Sequence, residues 1–266
     1  MLLKDKNAVI YGAGGHIGST VARAFAREGA KVFLAGRTQS KLEALANEIS
    51  TDKKTSASGG AAEAAQVDAL DQQAIEEHLD AIVKKAGSID ISFNAIWIRG
   101  DLQGTPLLQM PCEDFTLPIL TGVKTHFLTA TAAARHMVRK KSGVILTLSS
   151  SSSVLSGRDR RYHLTGGFST ACAAIEALSR SLAGELGPQG IRVVCLRPDA
   201  IPETWSVEPG GDISASGVKK YMEDGTALGR LPTLDEVANA AVFMASDRAS
   251  AMSGTIANLS CGSFMD

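Results

Sequence analysis

The 266-residue sequence predicts an α/β fold: a doubly wound parallel sheet of about seven strands, helices on both faces, and one domain over residues 1–266. Three observations lead there. Short apolar runs alternate with helical patterns along the whole chain. Those runs are continuously apolar, as strands covered on both faces require. The first of them passes through a cluster of glycines straight into a helix.

Taken in order, "NAVIYG" (7–12) reads as a buried strand and "STVARAFAREG" (19–29) as a helix closed by Gly29. "KVFLAG" (31–36) is the second strand and "SKLEALANEIS" (40–50) the helix after it. Strand, helix and strand at this spacing imply a parallel pair with a right-handed crossover. "TDKKTSASGGAAEAA" (51–65) is small, polar and glycine-paired, and reads as a surface loop before a strand ending at "QVDAL". Further strands are expected at "IDISFNAI" (89–96), "GVILTLSS" (143–150), "IRVVCLRPD" (191–199) and "GTIANLS" (254–260), with helices between them.

The composition sets limits on partners. With 27 basic and 28 acidic residues, the chain offers no broad basic surface, so no nucleic-acid partner is expected. Mean hydropathy is +0.05, and no apolar run reaches transmembrane length. The first strand begins within a few residues of Met1, leaving no room for a signal peptide, so a cytoplasmic protein with no membrane partner is expected. The four cysteines (Cys112, Cys172, Cys195, Cys261) show no C-x-x-C spacing and read as buried reduced thiols. The five histidines form no metal-ligand pair, and no metal site is expected.

The turn "YGAGGHIG" places Gly12, Gly14, Gly15 and Gly18 between the first strand and its helix, with His16 and Ile17 among them. Small residues there let backbone N–H groups approach a pyrophosphate at the positive end of the helix. At the end of the second strand an acidic residue would accept hydrogen bonds from a ribose hydroxyl. Gly36 and Arg37 stand there instead. A guanidinium suits a 2′-phosphate, which favours NADP(H) as cofactor; in isolation Arg37 also reads as a solvated surface arginine.

Over nearly its whole length the sequence resembles the short-chain dehydrogenase/reductase family, which implies a dinucleotide-binding Rossmann domain. "YGAGGHIG" resembles that family's glycine turn, "VDAL" its adenine-contacting strand end with Asp68, and "FNAI" its N-N-A-G stretch with Asn94 and Ala95. "LTLSS" is similar to the strand that delivers a catalytic serine, here Ser150. "IRVVCLRPDAIPET" resembles the strand and loop beside the nicotinamide, so the resemblance implies cofactor contacts from Pro198, Ile201 and Thr204. Residues 205–227, with Trp205, Tyr221 and Met222, occupy the family's substrate-lid position. The resemblance also implies a homodimer or homotetramer packed through helices rich in small residues.

The departures bear on chemistry. His16 replaces a glycine, Tyr11 a threonine, and Asp199 the glycine after Pro198. Phe168 falls where the family keeps its tyrosine acid, Cys172 where it keeps a lysine, and Ile119 where it keeps an asparagine. Of the four catalytic positions only Ser150 is kept. Phenylalanine has no proton to give and a thiol is no cation. A positioned general acid is worth about 10²–10⁴-fold, so ordinary ketone reduction needs a replacement.

Candidates lie in "SSSVLSGRDRRYHLTGG", which is longer than the family's equivalent: Tyr162 and His163 as proton donors, and Arg158, Arg160 and Arg161 as anion ligands. The other reading of this stretch is a solvated loop with its basic residues outside. His126 reads as a packed histidine, and His16 as either a phosphate contact or simple packing. Three functions stay open at this point. One is an NADP(H)-dependent oxidoreductase reducing an activated C=C or C=N bond of a small apolar molecule. A second is a cofactor-binding sensor or partner subunit without turnover, and a third is a non-redox enzyme using the same pocket.

Overall fold

A computed structural model describes residues 1–159, 164–205 and 217–265, with backbone only over 156–159. The strands are β1 (Asn7–Tyr11), β2 (Lys31–Gly36), β3 (Ala61–Gln66), β4 (Ile91–Asn94), β5 (Gly143–Leu148), β6 (Ile191–Pro198) and β7 (Ile256–Leu259). They form one parallel sheet in the order β3-β2-β1-β4-β5-β6-β7. Registers such as Tyr11↔Ala35 and Tyr11↔Asn94 bring the ends of β2, β1 and β4 level with one another. The chain reverses its direction of growth across the sheet between β1 and β4, and in open α/β sheets ligands bind in the crevice outside the strand ends at such a point.

The helices are α1 (His16–Arg27), α2 (Gln39–Thr51), α3 (Lys53–Ser58), α4 (Gln72–Ala86), α5 (Cys112–Lys140), α6 (Ser152–Asp159), α7 (Gly166–Leu186), α8 (Val218–Asp224) and α9 (Leu234–Ala245). Side chains alternate across each strand, so β1 sends Ala8 and Ile10 into one core and Val9 and Tyr11 into another. The first core holds Val21 and Phe25 of α1 with Ala238 and Ala241 of α9. The second holds Ile75 and Leu79 of α4, Leu128 and Ala133 of α5, and Leu182 of α7.

Three expectations need correction. The stretch expected as a loop over 51–65 contains α3 and most of β3. Asp52 caps α3 through its side chain, which accepts from the Thr55 N–H at 3.1 Å, and Gly59 ends it at φ +77°. β3 then stops at Gln66, so "VDAL" forms the turn after the strand and not its end. Burial of all four cysteines holds for Cys172 and Cys195 only; Cys112 is exposed and Cys261 half-buried.

Candidate functional site

Every described residue expected at the site lies at or beyond the carboxyl end of a strand, on one rim of the sheet. At β1, Gly12 has φ +74°, and a Cβ there would stand 2.7 Å from the Ala95 carbonyl oxygen. A Cβ at Gly18 would stand 2.4 Å from the Gly12 carbonyl oxygen. These two glycines fix how tightly β1, the turn and α1 fold together. Gly14, Gly15 and His16 are exposed on the outside of that turn, and Ile17 is half-buried. No described side chain caps α1, whose N-cap is Gly15. Its first N–H groups therefore face outward, a cradle that fits a pyrophosphate.

Arg37 follows β2, is exposed, and has no ion pair among the described residues. Its backbone carbonyl accepts from Gln66 Nε2 at 3.0 Å. A Cβ at Gly14 would touch the Lys41 Cβ at 3.7 Å, so the first turn of α2 brings a second cation beside the glycine turn. Sequence reasoning passed over Lys41, although its i+4 offset from Arg37 was legible. Asp68, beyond β3, is exposed and closes its own turn by accepting from the Leu70 N–H at 3.0 Å.

Asn94 ends β4 and is buried. Its Nδ2 donates to Thr129 Oγ1 at 3.0 Å and its Oδ1 accepts from the Ile96 N–H at 3.0 Å. Its amide is committed to shaping the Ala95–Ile96 turn that lies against Gly12. Beyond β6, Ile201 is buried, and Thr204 donates to the Ile201 carbonyl at 2.8 Å. Pro198 leads into this loop as the last residue of β6.

Ser150 follows β5 and is half-buried. Its Oγ meets Ser152 Oγ at 3.5 Å and accepts from the Ser152 N–H at 3.3 Å. The neighbouring serines do more than sequence reasoning gave them. Ser149 and Ser153 donate to Glu176 Oε1 at 2.9 and 2.7 Å, and Ser151 donates to Asp199 Oδ1 at 2.7 Å. Glu176 is itself bonded by Arg197 Nη1 at 3.3 Å. The segment after Ser150, expected as a loop, begins with α6. Tyr162 and His163, with Arg160 and Arg161, lie outside the described residues, as do residues 206–216 of the expected lid.

Phe168 and Cys172 sit on the first turns of α7. Cys172 is fully buried in a cluster with Ile98, Ala171, Ile175 and Cys195, against which Phe168 and Ile119 pack. Burial holds the Cys172 thiol well above its usual range, the hydrogen bond from the Ser150 backbone acting in the opposite direction. The positions where a tyrosine, a lysine and an asparagine were to be sought therefore form one apolar wall. The helix crossing here is close: a Cβ at Gly167 would overlap the Phe115 carbonyl, and one at Gly122 would press on Ile98.

His126 of α5 is a satisfied core histidine. Its Nδ1 donates to the Gly122 carbonyl at 2.8 Å, and its Nε2 accepts the Leu148 N–H at 3.3 Å, just where β4 has ended and offers β5 no partner. Desolvation pushes its pKa down to about 4, so the ring is neutral.

A family model described as enoyl-(acyl carrier protein) reductase matches residues 12–263. The chain is 32% identical over 267 residues to L-rhamnose 1-dehydrogenase (NAD(P)(+)) of Azotobacter vinelandii, covering 100% of this chain and 99% of that protein. It is 30% identical over 264 residues to a peroxisomal 2,4-dienoyl-CoA reductase of Rattus norvegicus, covering 99% and 85%. Among solved structures, a short-chain type dehydrogenase/reductase from Mycobacterium marinum superposes with a TM-score of 0.84 at 31% identity, covering 99% of this chain and 97% of that one. Among the described residues, no helix is long and apolar enough to cross a membrane.

Proposed function

Since the chain belongs to the short-chain dehydrogenase/reductase family and is an oxidoreductase of that type, we propose that it uses NADP(H) to reduce an activated C=C or C=N bond of a small apolar molecule. The observation that carries the reading is the wall made by Phe168, Cys172, Ile98 and Ile119. A carbonyl oxygen that gains negative charge needs a proton donor beside it. An activated C=C bond places the second proton away from the attacked atom, and an iminium nitrogen arrives already protonated. Both tolerate an apolar wall where an acid would otherwise stand. That a 2,4-dienoyl-CoA reductase is among the relatives supports the C=C alternative.

In this reading the outward N–H groups of α1 hold the pyrophosphate, and the exposed Arg37 and Lys41 flank a 2′-phosphate. Asp68 and Ala95 contact the adenosine half, and Pro198, Ile201 and Thr204 the nicotinamide half. Bound NADP(H) would supply the hydride. Ser150 orients the acceptor, Tyr162 and His163 are the candidate proton sources, and two or four copies assemble through α5 and α7 in the cytoplasm.

The test has two parts. Calorimetric titration should give tighter binding of NADPH than NADH, by about tenfold or more, and Arg37→Ala should erase the difference. Steady-state NADPH oxidation over a panel of enones, imines and ketones should show turnover with the first two classes. Tight cofactor binding with no turnover on any acceptor would overturn the reduction reading and leave a nucleotide-binding protein.

A further inference from the structure

We propose that Trp97 makes this site selective for acceptors that carry an aromatic ring, by offering its indole as a stacking surface; the inference rests on the reduction reading above. Trp97 stands three residues past the end of β4, where the sheet order reverses between β1 and β4. Its chain neighbours are fixed on both sides. The Ile96 N–H donates to Asn94 Oδ1 at 3.0 Å, and a Cβ at Gly12 would stand 2.7 Å from the Ala95 carbonyl oxygen. Ile98 is buried in the cluster that holds Cys172 and Ile175, and a Cβ at Gly122 would meet it at 2.8 Å. Trp97 therefore lies on the stretch of chain that runs from the glycine turn to the apolar wall. With Ile98 turned into the wall, Trp97 is held outward and is 62% exposed.

The turn that follows keeps the indole open. Arg99 takes φ +54°, and Gln103 Nε2 donates to the Gly100 carbonyl at 3.1 Å, so the chain doubles back beside the ring. A Cβ at Gly100 would stand 3.5 Å from Trp97 Nε1. The residue nearest that edge thus has no side chain with which to cover it. The indole and Ser150 border the same wall, because the Ser150 backbone hydrogen-bonds the Cys172 thiol beside which Ile98 is packed. The parallel register agrees: Phe93 pairs with Leu146, and Trp97 and Ser150 each lie four residues further along their chains.

The wall alone chooses acceptors by shape. An indole beside it adds a choice by electronic character. Aromatic rings in offset or edge-to-face contact gain roughly twofold to tenfold in an equilibrium constant beyond what their buried area gives. A saturated ring of similar size covers the same surface without that gain. A C=C bond conjugated to an arene also resists twisting, so ring and bond arrive as one plane and little freedom is lost on binding. Such a ligand meets Trp97 with its ring while its reacting bond lies at the wall.

The test is calorimetry on the NADP+ complex, which has no hydride to give, with 4-phenyl-3-buten-2-one and 4-cyclohexyl-3-buten-2-one as probes. The two enones share one reacting bond and differ in whether the ring is aromatic. In Trp97→Leu, which keeps apolar bulk, the ratio of their dissociation constants should shift by about threefold or more toward the cyclohexyl compound. In Trp97→Phe it should stay within about twofold of wild type. An unchanged ratio in Trp97→Leu, or binding of neither enone to the wild-type complex, overturns the inference. The expected shift without NADPH oxidation on either enone overturns the C=C reduction reading alone, and failure of NADP+ to bind overturns both. Far-UV circular dichroism identifies a variant that fails to fold, and Trp97→Ala then takes the place of Trp97→Leu.

Discussion

Replacing Cys172 by lysine is the sharpest test of the apolar wall. The residue has no exposed surface and is enclosed by Ile98, Ala171, Ile175 and Cys195. An ammonium in such a place loses its proton, its pKa falling by about 3–5 units from roughly 10.4. With a folded-state value near or below 7, the unfolded chain is charged at pH 7 and the folded one is not. The cost at pH 7 is then about 1.4 × (10.4 − 7), or about 4–5 kcal/mol, before any overpacking. The sign is fixed: the unfolded state binds more protons, so the variant gains stability as pH rises, by about 1.4 kcal/mol per unit relative to wild type. The window runs from pH 7 to roughly 8.5, where the wild-type thiol is half ionised in the unfolded chain. Urea denaturation of both proteins across this window measures the difference. If the variant matches the wild type at pH 7 and the difference has no slope, the position is polar and the reasoning about Phe168 and Cys172 fails.

Two further substitutions test the turn after β1 and the buried histidine of α5. Gly18→Ala puts a Cβ 2.4 Å from the Gly12 carbonyl and must push α1 off its turn; dinucleotide affinity should fall at least tenfold by calorimetry, while far-UV circular dichroism stays near wild type. His126 is held neutral with a pKa of about 4, against roughly 6.5 unfolded, so the unfolded state binds more protons between these values. The wild type should therefore lose about 3 kcal/mol as pH falls from 6.5 to 4, a loss that His126→Gln does not show in denaturation at matched pH.

What could be read from the sequence was set by distance along the chain. The glycine turn is legible because much of its constraint is local: Gly12 has a positive φ, and a Cβ at Gly18 would meet the Gly12 carbonyl within the same turn. α3 was missed because its residues are small and polar; the signal that existed was the Asp52-to-Thr55 cap, which the paired glycines outweighed. The serine–carboxylate bonds were out of reach for a different reason. Ser149 and Glu176 are 27 residues apart, and Ser151 and Asp199 are 48 apart. Only the parallel alignment of β5 with β6 and the packing of α7 bring them together. Serines 149 to 153 therefore look alike in sequence, although the fold gives them different partners.

Those partners bear on how the two halves of the rim differ. Side chains lost one at a time from a polar site leave buried donors and acceptors without partners, and each such orphan costs about 1–3 kcal/mol. Around Phe168 the replacements fit one another instead: Ile98, Ile119 and Cys172 pack as a unit, and Ser149, Ser151 and Ser153 each have a carboxylate to bond. Among the described residues, the Ser150 and Ser152 hydroxyls bond only within this pair, Ser150 Oγ lying 3.5 Å from Ser152 Oγ and 3.3 Å from the Ser152 N–H. Ser149, Ser151 and Ser153 are thus bonded before any ligand arrives, and among the described residues the hydroxyls of this run left to turn toward one are those of Ser150 and Ser152. Under the proposed function, such a site would take an acceptor that asks the wall for shape and asks for its proton elsewhere.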